Sequence, residues 1–389
     1  MAILTADLDE ARLRELCAQE CSESQTLDFK RELPGNSDRG KSEFLKDVCA
    51  IANSDGGELV YGINEADGKA KSLAPISTEP ADATKRRLGQ IIDAGIEPRI
   101  MGLQLREVRV GGGYVLIVTV PASFNGPHRY SVNSPGRFVM RNGTHTTELT
   151  YGQLRAAFDR TATLAERARR FRDERLSVIA NRQTWRPVLK GPVCVFHLIP
   201  IAAMAGNRSI DIKDLYSNYT RFMFQDWGGA SRSTNLDGLI VHRGGDEKDI
   251  TAYVQVFRSG ALEAVRFGGG LVDPTRKLIP SRTVSVFYRT AIDKFLVAIR
   301  SLGISGPAIV GAALLTVSGY IFGLPPEQFN QRTTDRSDLV LPEIWLDDID
   351  SATDIDDVAR PLLDVLWQAF DVDRCHEYTP EGKWRTDRW

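Results

Sequence analysis

Hydrophobic and polar positions alternate through Leu27-Asp28-Phe29-Lys30-Arg31-Glu32. A period of two marks a half-buried strand, so Asp28 and Lys30 are expected on one face and Leu27 and Phe29 on the other. Between residues 41 and 53 the period lengthens. Apolar side chains recur at 44, 45, 48, 49, 51 and 52, which is a helical stripe. Asn53-Ser54-Asp55-Gly56-Gly57 then ends the helix, because glycine accepts the positive φ of a helix C-terminus. Leu59-Val60-Tyr61-Gly62-Ile63 is short and apolar and reads as an inner strand. Its C-terminal end delivers Asn64, Glu65 and Asp67, while Glu23 lies one short loop before Asp28. Acids gathered at neighbouring strand ends are a common way to hold a hard divalent cation.

The same reading covers the rest of the chain. Residues 7–20 form an amphipathic lead-in helix, and 80–96 a helix bearing Lys85-Arg86-Arg87. Residues 101–110 and 114–120 form a hairpin about Gly111-Gly112-Gly113, and 137–141 a strand closed by the turn signal Asn142-Gly143. A helix begins at 150, and 161–182 is helical and rich in arginine. Two readings of that stretch stand side by side. It is a connector whose arginines pair with Glu166, Asp173 and Glu174, or it is a ridge that contacts phosphates.

Past residue 187, strands are expected at 193–200, 238–242, 252–258 and 262–267, and helices at 283–302 and 358–370. The uncharged run Gly306 to Leu324 is glycine-containing and ends at Pro325-Pro326, so it reads as a buried strand or strand pair rather than a membrane span. Asp347 to Asp357 lacks EF-hand spacing and reads as solvated surface. The fold class is α+β. A first domain, 1–160, combines a mixed sheet with helices. A connector spans 161–186, and an α/β domain with mainly antiparallel strands spans 187–389.

A chain of 389 residues favours two cores over one. Its net charge of −2 rules out a uniformly basic nucleic-acid binder, so any basic surface is local. The five cysteines, Cys17, Cys21, Cys49, Cys194 and Cys375, form no C-x-x-C pair and suit reduced thiols in a cytoplasm. The histidines do not cluster with them, so no structural zinc is expected. No secretory signal is read in Met1-Ala2-Ile3-Leu4, which runs directly into acidic residues. The pattern G-x-x-x-x-G-K-[ST] is absent, so Gly56-Gly57 reads as a turn rather than a phosphate loop.

Three linked blocks carry a family resemblance: Glu23-Ser24-x-x-Leu27-Asp28-Phe29-Lys30, Ala50-x-Ala52-Asn53-x-x-Gly56-Gly57, and Gly62-Ile63-x-Glu65. With Pro127-His128 and Arg137-Phe138-Val139-Met140-Arg141-Asn142-Gly143, they make residues 20–160 resemble the Schlafen-type AlbA domain. The resemblance implies a three-carboxylate nuclease site at Glu23, Asp28 and Glu65, with Asp67 a rival for the third place. It departs from the family pattern twice, with Asp at the second acid and Glu at the third. Such a site implies Mg²⁺ or Mn²⁺, held by Glu23, Asp28 and Glu65, with Lys30 steadying a phosphate oxygen or leaving group.

Lys85, Arg86, Arg87, His128, Arg129, Arg137 and Arg141 are the candidate nucleic-acid contacts, with Tyr130 and Phe138 as stacking partners. His128 also reads as a structural loop residue. The resemblance implies a cytoplasmic endoribonuclease acting on tRNA-like or other structured RNA, possible pairing into a homodimer, and a place in bacterial defence against phage. The alternative is a regulatory protein that grips DNA or RNA without cutting it.

Overall fold

The structure is a computed structural model that describes residues 9–206, 209–243, 250–268, 277–324, 333–352 and 354–385. Met1 to Leu8, with the start of the lead-in helix, and Pro325-Pro326 lie outside the described residues. The chain divides into two compact units, Met1–Ala162 and Thr163–Trp389. The class is α+β.

In the first unit the elements run α1 (Glu10–Ala18), β1 (Leu27–Lys30), α2 (Asp38–Ala52), β2 (Gly57–Tyr61), β3 (Ile63–Ala66), β4 (Lys69–Leu73) and α3 (Ala81–Gly95). They continue with β5 (Ile96–Glu97), β6 (Gln104–Val110), β7 (Gly113–Val120), β8 (Arg129–Tyr130), β9 (Arg137–Asn142) and β10 (His145–Glu148). The main sheet has the order β1-β2-β7-β6. Its β1–β2 pair is parallel and the other pairs are antiparallel, a mixed sheet.

Side-chain alternation gives the sheet two apolar faces. Leu27, Phe29 and Val60 join Leu13 and Leu16 of α1 on one face. Leu59, Tyr61 and Leu116 lie on the other face, under Phe44, Val48 and Ile51 of α2 and Leu88 and Ile92 of α3. Asp28 and Lys30 therefore project on the α2 side, where β1 pairs Asp28 with Leu59 and Lys30 with Tyr61.

The turn after α2 requires its two glycines. Gly56 has φ +73°, and a Cβ there would sit 2.4 Å from the Ala122 nitrogen. A Cβ on Gly57 would sit 2.3 Å from the Thr26 carbonyl oxygen, against the strand it must pair with. No side chain fits at either position without moving backbone. A second small sheet, β10-β9-β8-β5, is pinned to the end of α2. Asn53 donates to the carbonyls of His128 and Val139, both at 2.8 Å, and accepts from the His128 N–H at 2.7 Å. Ser54 Oγ accepts from the Arg141 N–H at 2.8 Å and donates to the Arg141 carbonyl at 3.2 Å.

Residues 150–182, expected as two successive helical stretches, form one helix, α4 (Tyr151–Ala180), which carries the chain from one unit to the other.

The second unit contains β11 (Val193–Pro200), α5 (Ile212–Ser217), β12 (Ser231–Thr234), β13 (Gly238–Arg243), β14 (Ala252–Phe257), β15 (Leu262–Phe267), β16 (Leu278–Pro280) and α6 (Ser281–Ser301). It ends with β17 (Ala308–Leu315), β18 (Ile321–Gly323), β19 (Leu339–Val340), β20 (Ile344–Leu346) and α7 (Asp356–Gln368). Its large sheet runs β12-β13-β14-β15-β11-β17-β19, with β20 also on β17, and its ladders are antiparallel. Helices α6 and α7 cover one face, and Leu176 and Ile179 of α4 pack on the other.

The uncharged 306–324 run supplies β17, buried along its whole length, and β18. No helix among the described residues is long and apolar enough to cross a membrane. The acidic 347–357 stretch is not all solvated surface: Asp348 is buried and accepts from the Gly306 N–H at 3.0 Å, and Asp356 pairs with Arg289 at 2.8 Å.

Candidate active site

The site is built from the β1 face that α2 covers. Asp28 is buried, with 7% of its side chain exposed, and two cations meet it. Lys30 Nζ lies 3.1 Å from Oδ2 and Arg141 Nη1 lies 3.3 Å from the same oxygen. Glu23 is fixed from both sides. Its N–H donates to the Gly68 carbonyl at 2.7 Å, and Oε1 accepts from the Phe29 N–H at 3.0 Å. Its carboxyl hydrogen-bonds Asp28.

Burial and that hydrogen bond push Glu23 up to about 7. Burial alone would also raise Asp28, but Glu23, Lys30 and Arg141 together hold it below the usual carboxylate range. The two shifts run in opposite directions, as they do when one carboxyl of an adjoining pair keeps its proton and the other is ionised. Burial opposes the charge on Lys30, yet Asp28, Asp47 and Glu23 outweigh it and raise its ammonium. Asp47, on α2, is itself raised by burial, with Lys30 opposing.

The third carboxylate expected from the resemblance, Glu65, lies on the β3–β4 hairpin. Glu65 Oε2 accepts from the Gly68 N–H at 3.1 Å, at the tip of the β3–β4 hairpin. Glu23 Oε2 approaches the same glycine, 3.7 Å from where its Cβ would be. Glu23 thus lies between Asp28 and the Glu65 turn. No three His, Cys, Asp or Glu among the described residues are disposed to hold a metal ion as they stand. Asp67, the rival, has φ +53° at the hairpin turn and is exposed.

The expected basic groove is arranged differently from its sequence reading. Lys85 pairs with Glu107 at 2.7 Å and Asp82 at 2.9 Å. Arg87 is held by Glu79 at 2.8 Å, and Arg137 by Glu148 at 3.2 Å. Arg129 pairs with Glu97, and Arg86 is exposed. Apart from Asp82, three residues before Lys85 on α3, these acids are not helix neighbours of their partners, so those pairings were invisible in the sequence. The most exposed pairs, on Arg129 and Arg137, are of the kind worth little in water, and a phosphate can displace them.

Two of the seven candidates are not on a groove at all. His128 is fully buried: its Nδ1–H donates to the Pro98 carbonyl and Nε2 accepts from Ser123 Oγ, both at 2.6 Å. Both ring nitrogens are committed, and burial lowers its pKa, so His128 is structural. Arg141 shares a strand face with Arg137, but that face passes from solvent to beneath α2, and Arg141 belongs to the Asp28 site. Of the stacking candidates, Tyr130 is in the core and Phe138 packs edge-on against Phe158.

The arginine-rich stretch also resolves into partners within the second unit. Arg169 and Arg172 meet Glu343 at 2.8 and 3.2 Å, and Arg175 meets Glu263 at 2.8 Å. Arg172 also meets Asp173 at 3.0 Å and Arg169 meets Glu166 at 3.7 Å, local pairs of the connector reading, so these three arginines hold acids rather than forming a free ridge.

Sequence reasoning missed Asp47 and the roles of Arg141, Asn53 and Ser54. For Asn53 and Ser54 a signal was present, since polar residues ending an apolar helix stripe often cap or clamp. For Asp47 none was, since an acid on a helix is ordinarily exposed.

Comparison with known proteins adds the family. Residues 23–150 match the family model described as Schlafen, AlbA_2, so the resemblance carried by the three sequence blocks is shown over that segment. This family suggests a nucleic-acid-related function for the first unit. Solved structures with which the chain aligns include the DIP2311 protein from Corynebacterium diphtheriae, at 20% identity and a TM-score of 0.26. That alignment covers 36% of this chain and only 29% of that one, so the chain spans under a third of its length. Another is the N-terminal domain of a putative ATP-dependent DNA helicase RecG-related protein from Nitrosomonas europaea, at 26% identity and a TM-score of 0.26. It covers 33% of this chain and 84% of that domain. No curated protein matches the chain.

Proposed function

We propose that the first unit is a nuclease that cleaves RNA, with structured, tRNA-like molecules as the substrate class, and that it depends on Mg²⁺ or Mn²⁺. The observation that carries this reading is the Glu23–Asp28 pair, two adjoining carboxyls beside Lys30, whose Nζ lies 3.1 Å from Asp28 Oδ2. Glu23 sits near 7, where a carboxyl both yields and accepts a proton at neutral pH. Lys30 is 40% exposed, close enough to solvent to meet a phosphate oxygen. Arg141 is buried and holds Asp28 in place.

Mg²⁺ is commonly carried by one or two carboxylates with water and substrate phosphates, and here Lys30 and Arg141 would have to yield Asp28 Oδ2 to it. Glu23 and Asp28 would hold it, and Glu65 shares the contact to Gly68 with Glu23. Bound there, a divalent cation supplies an activated water and screens charge building on the phosphate. Cleavage of tRNA would suit a role in bacterial defence against phage, a role that rests on the family resemblance.

A second reading, a binder that does not cut, is favoured by one observation. Asp28 is already neutralised by Lys30 and Arg141, and Glu65 is engaged by a backbone N–H. Purified protein and its Glu23→Gln variant are incubated with total tRNA and with single- and double-stranded DNA, with Mn²⁺, Mg²⁺ or EDTA. The nuclease reading expects RNA cleavage that needs metal and is lost in Glu23→Gln. Salt-sensitive binding without cleavage, unchanged in the variant, establishes the binder.

A further inference from the structure

A cavity of about 530 Å³ opens in the first unit between α2, α3 and residues 131–133. None of the carboxylate-site residues lines it. Its apolar wall is Leu45, Ile91 and Val132, and amides from Asn36, Gln90 and Asn133 stand around that wall. Two of those are tied back: Asn133 donates to Asp38 at 3.0 Å, and Asn36 accepts from Arg87 at 3.2 Å. Arg87, already neutralised by Glu79, also donates to the Pro34 carbonyl at 3.1 Å and so fixes the loop at the rim. Lys41 is the part-buried cation of the wall and makes no ion pair among the described residues.

We propose that this cavity binds one nucleotide, its base flat on the Leu45–Ile91–Val132 wall and its phosphate on Lys41. The size is that of a small-molecule site, and its lining sets a few apolar side chains among polar and charged ones. Amides suit the hydrogen-bonding edges of a base. A free inorganic phosphate would leave the apolar wall unused, and an acyl chain would leave Lys41 and Gln90 unused. The nucleotide is either free or an unpaired nucleotide of an RNA strand.

The second source rests on the nuclease reading and deepens it. Residues 31–35 join Lys30 to Asn36 on the rim, a span that reaches no more than about 22 Å. A strand whose phosphate meets Lys30 then has a nucleotide no more than a few positions along in reach of the cavity.

The test measures binding of a fluorescein-labelled single-stranded RNA hexamer to Glu23→Gln protein, alone and in competition with AMP, GMP, CMP and UMP. Ala94→Trp places a large ring in the cavity from an exposed helical position. It is expected to weaken binding at least about tenfold. Lys41→Ala is expected to weaken it about fivefold. Arg39→Ala, whose side chain pairs with Glu43 and does not line the cavity, should change it less than about twofold. Displacement by a mononucleotide assigns a free nucleotide as sufficient, and its failure, with both variant effects present, assigns the strand.

Unchanged binding in Ala94→Trp and Lys41→Ala overturns the proposal, even where Glu23-dependent RNA cleavage persists. So does the absence of binding by hexamer and mononucleotides alike. Cleavage that ignores Glu23 while the cavity variants still weaken binding overturns the nuclease reading alone. A thermal melt accompanies each variant, and if Ala94→Trp unfolds the unit, Lys41→Ala decides.

Discussion

Each unit buries a carboxylate on a sheet and gives it an arginine, and the two sites behave as opposites. In the second unit Glu263 is fully buried on β15. Arg175 grips both its oxygens at 2.8 Å, His197 reaches it at 3.0 Å and the Tyr253 hydroxyl donates at 2.8 Å. Burial alone would raise that carboxyl, yet Arg175 and His197 bring it down to about 2. Every lone pair that matters has a partner, and nothing is left to react. In the first unit Asp28 has cations of its own but also a second acid, Glu23, which burial and Asp28 lift to about 7. Lys30 is open to solvent there. A closed network with its charges matched stiffens a fold, whereas one with a mobile proton and an exposed cation is arranged to exchange them.

The largest expected effect falls on the closed network. Glu263→Gln leaves Arg175 with an uncompensated buried charge, and the second unit should lose about 3–5 kcal/mol in denaturant unfolding. A loss below about 1 kcal/mol would show that the network is not what stabilises that sheet. Next comes the open one: Glu23→Gln should lower RNA cleavage about a hundredfold or more while leaving the fold intact, read from cleavage rate and circular dichroism together. A matching loss of structure would make Glu23 a fold residue like Glu263.

Third, Asn53→Ala removes two donated hydrogen bonds and one accepted one between α2 and the small sheet. It should cost the first unit about 1–3 kcal/mol. Cleavage should fall less than in Glu23→Gln, because Asn53 acts only by holding the frame.

The smallest effect separates the two acids by pH. Glu23 is raised above its ordinary 4.5, so its stabilising contribution is full below 4.5 and is lost as pH rises through about 7. The first unit's melting temperature should therefore decline from pH 5 to 8, and Glu23→Gln should flatten most of that slope. Asp47, also raised, leaves a shallower one. Glu263 is lowered, so its contribution is present above 4.5 and is lost as pH falls through about 2. A second unit that weakened between pH 5 and 8 through Glu263 would contradict this assignment.

What the sequence by itself determined is what short-range periodicity encodes. Leu27 to Lys30 alternates, and the structure has Asp28 and Lys30 on one face of β1. The apolar stripe from Phe44 to Ala52 is α2, and Gly56-Gly57 makes the turn because nothing larger fits. Strand β11 and helices α6 and α7 also lie where their patterns predict, within a few residues of the expected ends. The short edge strands β12, β19 and β20 carry too few residues for a period to show and were not read.

Tertiary structure alone decided the electrostatics. Arg141 is 113 positions from Asp28 in the chain yet 3.3 Å from it in space. His128 lost its candidacy to Pro98 and Ser123, and Lys85, Arg87 and Arg129 found their acids across strand and helix boundaries. Backbone periodicity is a local property, repeated every two or 3.6 residues, and can be read along the chain. Charge interaction depends on separation in space and on burial, and both exist only once the chain has folded.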